Sequence, residues 1–391
     1  MAEYNFDEVI DRSGTGAIKY DLRQDVFGTD NVIPMWVADM DFRTPPFIMD
    51  AIRQRANHEI LGYTKRSDGF FQSVTNWFKR RQNWDIDRSW IVFSPGIVPA
   101  LSFAVRAFTS PGEKIIIQPP VYHPFASIIN GNQRIIVNNP LILSEGRYYM
   151  DLNNLKEQLD NQVKLILISN PHNPVSRIWT PEELSELAGI CLEHNITIIS
   201  DEIHSDIIMP GCKHIPLAAI SPAFSEITVT CLAPSKTFNL AGLSTSVVVI
   251  PDKLRRDLFS REIETSHLWL GNIFGNIALE AAYNKGDEWV DELNRYVFDN
   301  FKFLDSYLKQ NIPEIKLIRP DATYLAWLDM HGLNMDDKAL KEFMIHKAGI
   351  GCNEGRSFGI GGEGFQRMNI GCPRKVLQKA LNQLDIAVNN L

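Results

Sequence analysis

Residues 227–250 read ITVTCLAPSKTFNLAGLSTSVVVI. Two runs rich in Val, Ile and Thr, Ile227–Leu232 and Ser246–Ile250, have the length and β-branched content of sheet strands. The loop between them carries Ser235, Lys236, Thr237 and Asn239, with Gly242 to let the backbone turn tightly. A lysine held between two buried strands is unusual, because Lys is rarely buried without a partner. Burial disfavours the ammonium form and leaves an amine able to condense with a carbonyl. A solvated loop lysine is the plainer alternative, and Lys236 alone does not decide between them.

Working outward, the rhythm from about Trp90 to about Asn284 is strand, loop, helix, repeated. Strands are expected at Ile91–Phe93, Lys114–Gln118, Ile135–Asn138, Val163–Ser169 and Ile196–Ser200, and helices at Val98–Phe108, Asp151–Asp160 and Thr180–Asn195. Val163–Ser169 is almost wholly apolar, the mark of a parallel strand covered on both faces. Thr180, Pro181 and Glu183 spell an N-cap, a first-turn proline and a capping box. This alternation predicts an α/β fold with a mostly parallel, doubly wound sheet, whose ligands gather at the carboxyl ends of its strands.

Upstream, VIPMWVADMDFRTPP (32–46) reads as extended because of its prolines. Past about residue 286 come a long amphipathic helix, Glu288–Gln310, then short strands and a final helix, Pro373–Asn390. The expected division is an arm and entrance segment at 1–40 that packs with the small domain, a large domain at 41–285 and a smaller α+β domain at 286–391. The glycine-rich CNEGRSFGIGGEGFQR (352–367) reads as a flexible loop over a site. It is not read as a phosphate loop, since no strand leads directly into a helix there.

Composition excludes several classes. The net charge is −8 with no Lys/Arg block, which argues against nucleic acid or an anionic membrane as partner. No stretch approaches the ~20 apolar residues of a membrane span. The start, MAEYNFDEVIDRSG, has no signal-peptide core, so a cytoplasmic location is expected. The five cysteines, 191, 212, 231, 352 and 372, are scattered without a CxxC pair; reduced thiols are expected, with no disulfide framework and no metal site.

Reactive residues recur at the strand ends. Gly96-Ile97-Val98 opens a helix after the first strand, Tyr122 follows the second, and Asn173 lies in NPHNPVS (170–176). Asp201 and His204 follow the Ile196–Ser200 run, and Lys236 follows Ile227–Leu232. Singly, each has a bland reading: Asn173 as a turn cap, Tyr122 as a core aromatic, Asp201 as a helix N-cap, His204 as a satisfied core histidine. Together they meet the demands of pyridoxal 5′-phosphate. Its phosphate needs helix N-terminal amides (Ile97, Val98) and its ring a stacking face (Tyr122). Its pyridinium needs a buried carboxylate (Asp201), its ring oxygen a neutral donor (Asn173), and its aldehyde an amine (Lys236).

The pieces MWVADMDF, GYT (62–64), SPGIV, PPVYHPF, NPHNPV, SDEIHSD, APSKTFNLAGL and FQRMNIGCPR resemble the fold-type I pyridoxal-phosphate enzymes of the class I/II aminotransferase family. The resemblance runs over nearly the whole chain and is strongest to the cystathionine β-lyase-like branch, the MalY/PatB type. It implies a seven-stranded-type sheet between helices. It further implies that Lys236 forms the Schiff base and then moves protons, and that Ser235 joins Ile97 and Val98 on the phosphate. Arg367 would clamp the substrate carboxylate, and Trp36, Ala38 and Asp39 would line the entrance. His204 would sit near the ring oxygen, and Tyr63 would reach the neighbouring active site of a homodimer. Ala233, Ser244 and Ser176 depart from the family pattern, and Ser244 removes a cation common at the phosphate. The expected reaction is carbon–sulfur β-elimination from a sulfur-bearing amino acid, giving pyruvate, ammonia and a thiol. Aminotransfer shares its first steps and stays open, as does a regulatory role through a protein partner. A nicotinamide enzyme is disfavoured, because no GxGxxG follows a strand.

Overall fold

The computed structural model describes residues 4–391, so residues 1–3 of the expected arm lie outside it. Seven strands form the main sheet: β1 (Ile91–Ser94), β2 (Lys114–Ile117), β3 (Ile135–Asn138), β4 (Val163–Ser169), β5 (Thr197–Asp201), β6 (Thr228–Leu232) and β7 (Ser246–Val249). Their order is β1-β7-β6-β5-β4-β2-β3. Only β7 runs against its neighbours. Successive residues of β4 face opposite cores. Leu165 and Leu167 pack under the helices Ile97–Phe108 and Lys253–Thr265, while Ile166 and Ile168 pack under Pro181–Glu193. A strand buried on both sides has little room for polar residues, which is why β4 runs apolar from Leu165 to Ile168, with Lys164 only partly buried at its start.

The ends of the elements follow local chemistry. Thr180 caps the helix Pro181–Glu193 through its side chain, Glu183 returns the bond to the Thr180 amide, and Pro181 occupies the first turn. Asp201 is the last residue of β5 rather than the first beyond it, paired in register with Ser169 on one side and Cys231 on the other. Gly96 precedes the helix Ile97–Phe108 with φ 120°, a backbone that a residue with a side chain rarely adopts.

A second sheet, antiparallel throughout, holds β8 (Lys316–Leu317), β9 (Leu325–Asp329), β10 (Asn353–Glu354) and β11 (Phe365–Asn369) in the order β8-β9-β11-β10. The helices Ile273–Lys285 and Asp287–Asn311 meet at Gly286, between the two sheets in the chain. The extended entrance segment crosses to the second sheet's side: Ile33 and Pro34 pair in parallel with Ile350 and Gly351.

The glycine-rich loop is packed rather than free. Phe358 is buried, and its carbonyl accepts the Val121 amide at 2.9 Å. Gly355 and Gly362 approach so closely that a Cβ on either would strike the other's carbonyl. Several of the loop's glycines are there for close approach, which glycine content alone does not distinguish from looseness.

Candidate active site

A cavity of about 560 Å³ opens at the carboxyl edge of the main sheet. Lys236, Asp201, Asn173, Tyr122, His204, Ser235, Ile97 and Val98 line it, as do Arg367 from β11 and Trp36 and Ala38 from the entrance segment. Asp39 lies elsewhere, and Tyr63, expected to serve a neighbouring subunit, is also outside this lining. Asp39 is absent from the lining; its carboxylate is turned to Arg12, 2.7 Å away. This corrects the expectation that Asp39 lines the entrance, and the cause is the ion pair. Tyr63 is 97% exposed and borders a separate cavity of about 690 Å³ with Leu61 and Leu268. Pro95 and Ser244 are common to both cavities.

The cavity gathers two cations and a carboxylate at its buried end. Lys236 Nζ donates to the Ala38 carbonyl at 2.6 Å. Burial lowers its amine to about 8, and the Arg367 charge acts in the same direction. Burial also pushes Asp201 up to about 7, although the Ile203 amide and Lys236 both favour its charged form. His204, fully buried, is held well below its ordinary value by burial and by Lys236, so its ring is neutral. Arg367 donates to Asn173 Oδ1 at 2.9 Å, to the Trp36 carbonyl at 3.0 Å and to Asn353 Oδ1 at 2.7 Å. Its guanidinium stacks 4.8 Å from the Phe358 ring centroid, so the packed loop forms one wall. Arg367 Nε and His204 Nδ1 are buried with no hydrogen-bond partner. Buried polar atoms of this kind are rare unless something else satisfies them.

The aminotransferase class I and II family profile matches residues 30–384. The chain belongs to that family. Among the proteins similar to this class I/II chain is cystathionine beta-lyase PatB of Bacillus subtilis (strain 168), 43% identical over 386 residues, covering 98% of this chain and 100% of that protein. Protein MalY of Escherichia coli (strain K12) is 32% identical over 388 residues, covering 98% and 99%. Among solved structures, cystalysin from Treponema denticola, which contains a pyridoxal 5′-phosphate cofactor, has a TM-score of 0.96 at 37% identity and covers 99% of each chain.

For this class I/II chain the fold class and the strand-end residues were legible in sequence, but several cavity residues were not. Ser169, His123, Thr245 and Asn353 also line the cavity. Asn353 gives the clearest case: β10 pairs it directly with Arg367, and its side chain holds that guanidinium. The signal was an Asn two residues before a glycine cluster, which reads equally well as a turn. Ser169 ends β4, and its hydroxyl accepts the Asn173 amide at 3.3 Å. Among the described residues no group of acidic, His and Cys side chains is arranged to hold a metal, and no helix is long and apolar enough to cross a membrane.

Proposed function

We propose that this chain is a pyridoxal 5′-phosphate-dependent carbon–sulfur β-lyase that releases pyruvate, ammonia and a thiol from a sulfur-bearing L-amino acid such as L-cystathionine. The observation that carries the reading is one buried cavity holding the Lys236 amine, the Asp201 carboxylate and the Arg367 guanidinium together. The name of the relative cystathionine beta-lyase PatB supports the lyase outcome over aminotransfer.

The residues present fit the cofactor. Arg367 Nε and His204 Nδ1 lack protein partners, and the helix Ile97–Phe108 presents its N-terminus to the cavity beside Ser235, Ser244 and Thr245. Ile97, Val98 and Ser235 would hold the phosphate by amides and hydroxyl, without a lysine or arginine in place of Ser244. Tyr122 would cover the ring, Asp201 would hold the ring nitrogen, and Asn173 and His204 would meet the ring oxygen. When bound, the cofactor supplies an aldehyde for the substrate amine and a sink for charge leaving the α-carbon.

The chain's own groups do the rest. Of the five Arg367 N–H donors, Nε–H and one on Nη1 are left for a substrate carboxylate, and the ties to Asn173, Trp36 and Asn353 fix the guanidinium before substrate arrives. Lys236, with its amine at about 8, is neutral often enough near pH 8 to take the α-proton. His204 stays neutral beside it, adding no further charge to oppose the ammonium that then forms. We further read residues 41–285 as the cofactor-binding domain and 286–391 as the smaller domain, with the cavity between them. The large cavity beside Tyr63, rimmed by exposed Leu61 and Leu268, supports a homodimer in which Tyr63 completes the partner's site.

The test is to give the purified protein L-cystathionine and, separately, an amino acid with a 2-oxo acid. Release of pyruvate and thiol in the first mixture alone supports the lyase. Amino-group exchange in the second alone assigns an aminotransferase. Silence in both refutes catalysis of either kind.

A further inference from the structure

The segment Met35–Asp41 supplies main-chain groups to much of the cavity. Its Trp36 carbonyl accepts Arg367 and its Ala38 carbonyl accepts both Lys236 and, at 3.0 Å, the Tyr324 hydroxyl. The Val37 and Asp39 carbonyls both accept Asn369 Nδ2 at 2.6 Å. A carbonyl can orient a charged side chain only if its own backbone is held. Bent backbone of this kind, outside the sheets, needs ties of its own.

Neutral ties come from Asn239, which accepts the Met40 amide and donates to the Met40 carbonyl, and from the Gly371 carbonyl, which accepts the Asp41 amide; the ionic ties come from the N-terminal arm. Lys19, 1% exposed, places its ammonium 2.8 Å from Asp41 and 3.4 Å from the Asp39 carbonyl. Arg12 bonds Asp39 at 2.7 Å and Asp41 at 2.8 Å, and reaches the Met40 carbonyl at 3.2 Å. The Lys19 carbonyl in turn accepts the Trp36 indole N–H at 3.0 Å. A buried ammonium is costly unless paired, and a pair of this kind is better suited to fixing one geometry than to adding stability.

We infer that Lys19 and Arg12, through Asp39 and Asp41, are positioning residues that hold the 35–41 segment so that its carbonyls fix Arg367 and Lys236 for substrate. The inference rests on the reading of Arg367 as the substrate-carboxylate group. None of the four side chains lines the cavity; the Asp39 charge reaches Lys236 through space, and the hold on Arg367 passes through the backbone. Loosening it leaves Arg367 charged but poorly aimed, which weakens capture of substrate more than turnover.

The experiment compares wild type with Lys19→Met, Lys19→Arg and Arg12→Gln by amide hydrogen exchange on the protein as purified, and by kinetics on L-cystathionine. In Lys19→Met and Arg12→Gln the peptide covering 35–41 is expected to exchange about tenfold faster or more, with β4 and β5 unchanged. KM is expected to rise about tenfold with kcat within about twofold, and Lys19→Arg restores most of both. If Lys19→Met does not fold, Arg12→Gln carries the test, because it keeps the Lys19–Asp41 pair. Unchanged exchange at 35–41 overturns the inference, as does faster exchange with KM unmoved while Arg367→Leu raises it. Faster exchange with KM unmoved in both Arg12→Gln and Arg367→Leu would instead overturn the carboxylate reading on which it rests.

Discussion

The Arg367 guanidinium donates to Asn173 Oδ1 at 2.9 Å, tying β11 to the loop that follows β4. The two residues lie 194 positions apart. Their bond spans the two sheets at the cavity, so the orientation of one depends on the other. Lysine at 367 keeps the charge but loses the planar fork and two of its three ties. Arg367→Lys should raise KM for L-cystathionine about 30- to 100-fold, equivalent to ~2–3 kcal/mol of lost transition-state and ground-state binding alike. The absorbance of bound cofactor should stay as in wild type. Steady-state kinetics with a parallel spectrum check both, and an unchanged KM would remove Arg367 from substrate binding.

Asp201 gives a pH signature that needs no substrate. Burial holds its proton up to about 7 in the folded chain, whereas an unfolded aspartate titrates near ~3.9. The stability this proton contributes is fully present below the unfolded value and is lost as pH rises through about 7. Asp201→Asn cannot ionise and lacks that loss. Thermal melts of the cofactor-free variant should therefore gain on wild type as pH rises from about 4 to about 7, then hold a constant lead. A gap that does not widen over that window would mean the site is wetter than its geometry indicates.

The positions of Asp201 and Lys236 could be read from sequence because β5 and β6 are plain as β-branched runs, and Asp201 ends the first while Lys236 lies in the loop after the second. Asn353 could not, since its relation to Arg367 exists only through an antiparallel pairing that sequence distance hides. Asp39 was misplaced for a local reason. Residues 37–39 bend, with the Asp39 amide donating to the Val37 carbonyl at 2.9 Å, so the Ala38 carbonyl accepts Lys236 while the Asp39 carboxylate turns towards Arg12. The helix Lys253–Thr265 buries only Phe259 and Ile263 and offers almost no periodic signal, although it covers one face of the sheet.

Lys236 should reveal its environment by its own titration. In cofactor-free protein, its acetylation by acetic anhydride, followed by peptide mass spectrometry, should reach half its plateau rate near pH 8. Exposed lysines titrate near ~10.4 and should keep gaining well above that. Arg367 lowers the amine and Asp201 raises it. Arg367→Leu should thus move the midpoint up and Asp201→Asn should move it down, and the two shifts should be opposite in sign. A midpoint near that of surface lysines would contradict a desolvated amine.

At a cofactor concentration too low to load Tyr63→Ala, the dimer reading predicts rescue between two inactive proteins. Tyr63 is almost fully exposed in one chain and sits away from that chain's own Lys236 cavity. If Tyr63 serves the partner's site, a hybrid of Lys236→Ala and Tyr63→Ala subunits places both defects in one site and leaves the other intact. Equal mixing with random reassortment makes half the dimers hybrids, so about a quarter of wild-type activity should return. If Tyr63 serves its own subunit's site, each hybrid site carries one defect and activity stays at the level of the parents. Lys236→Ala alone should be inactive, and Tyr63→Ala should bind cofactor more weakly, by ~1–2 kcal/mol for one lost hydrogen bond to a charged phosphate. Activity measured after refolding the two proteins together, against each refolded alone, separates the arrangements without a structure of the dimer.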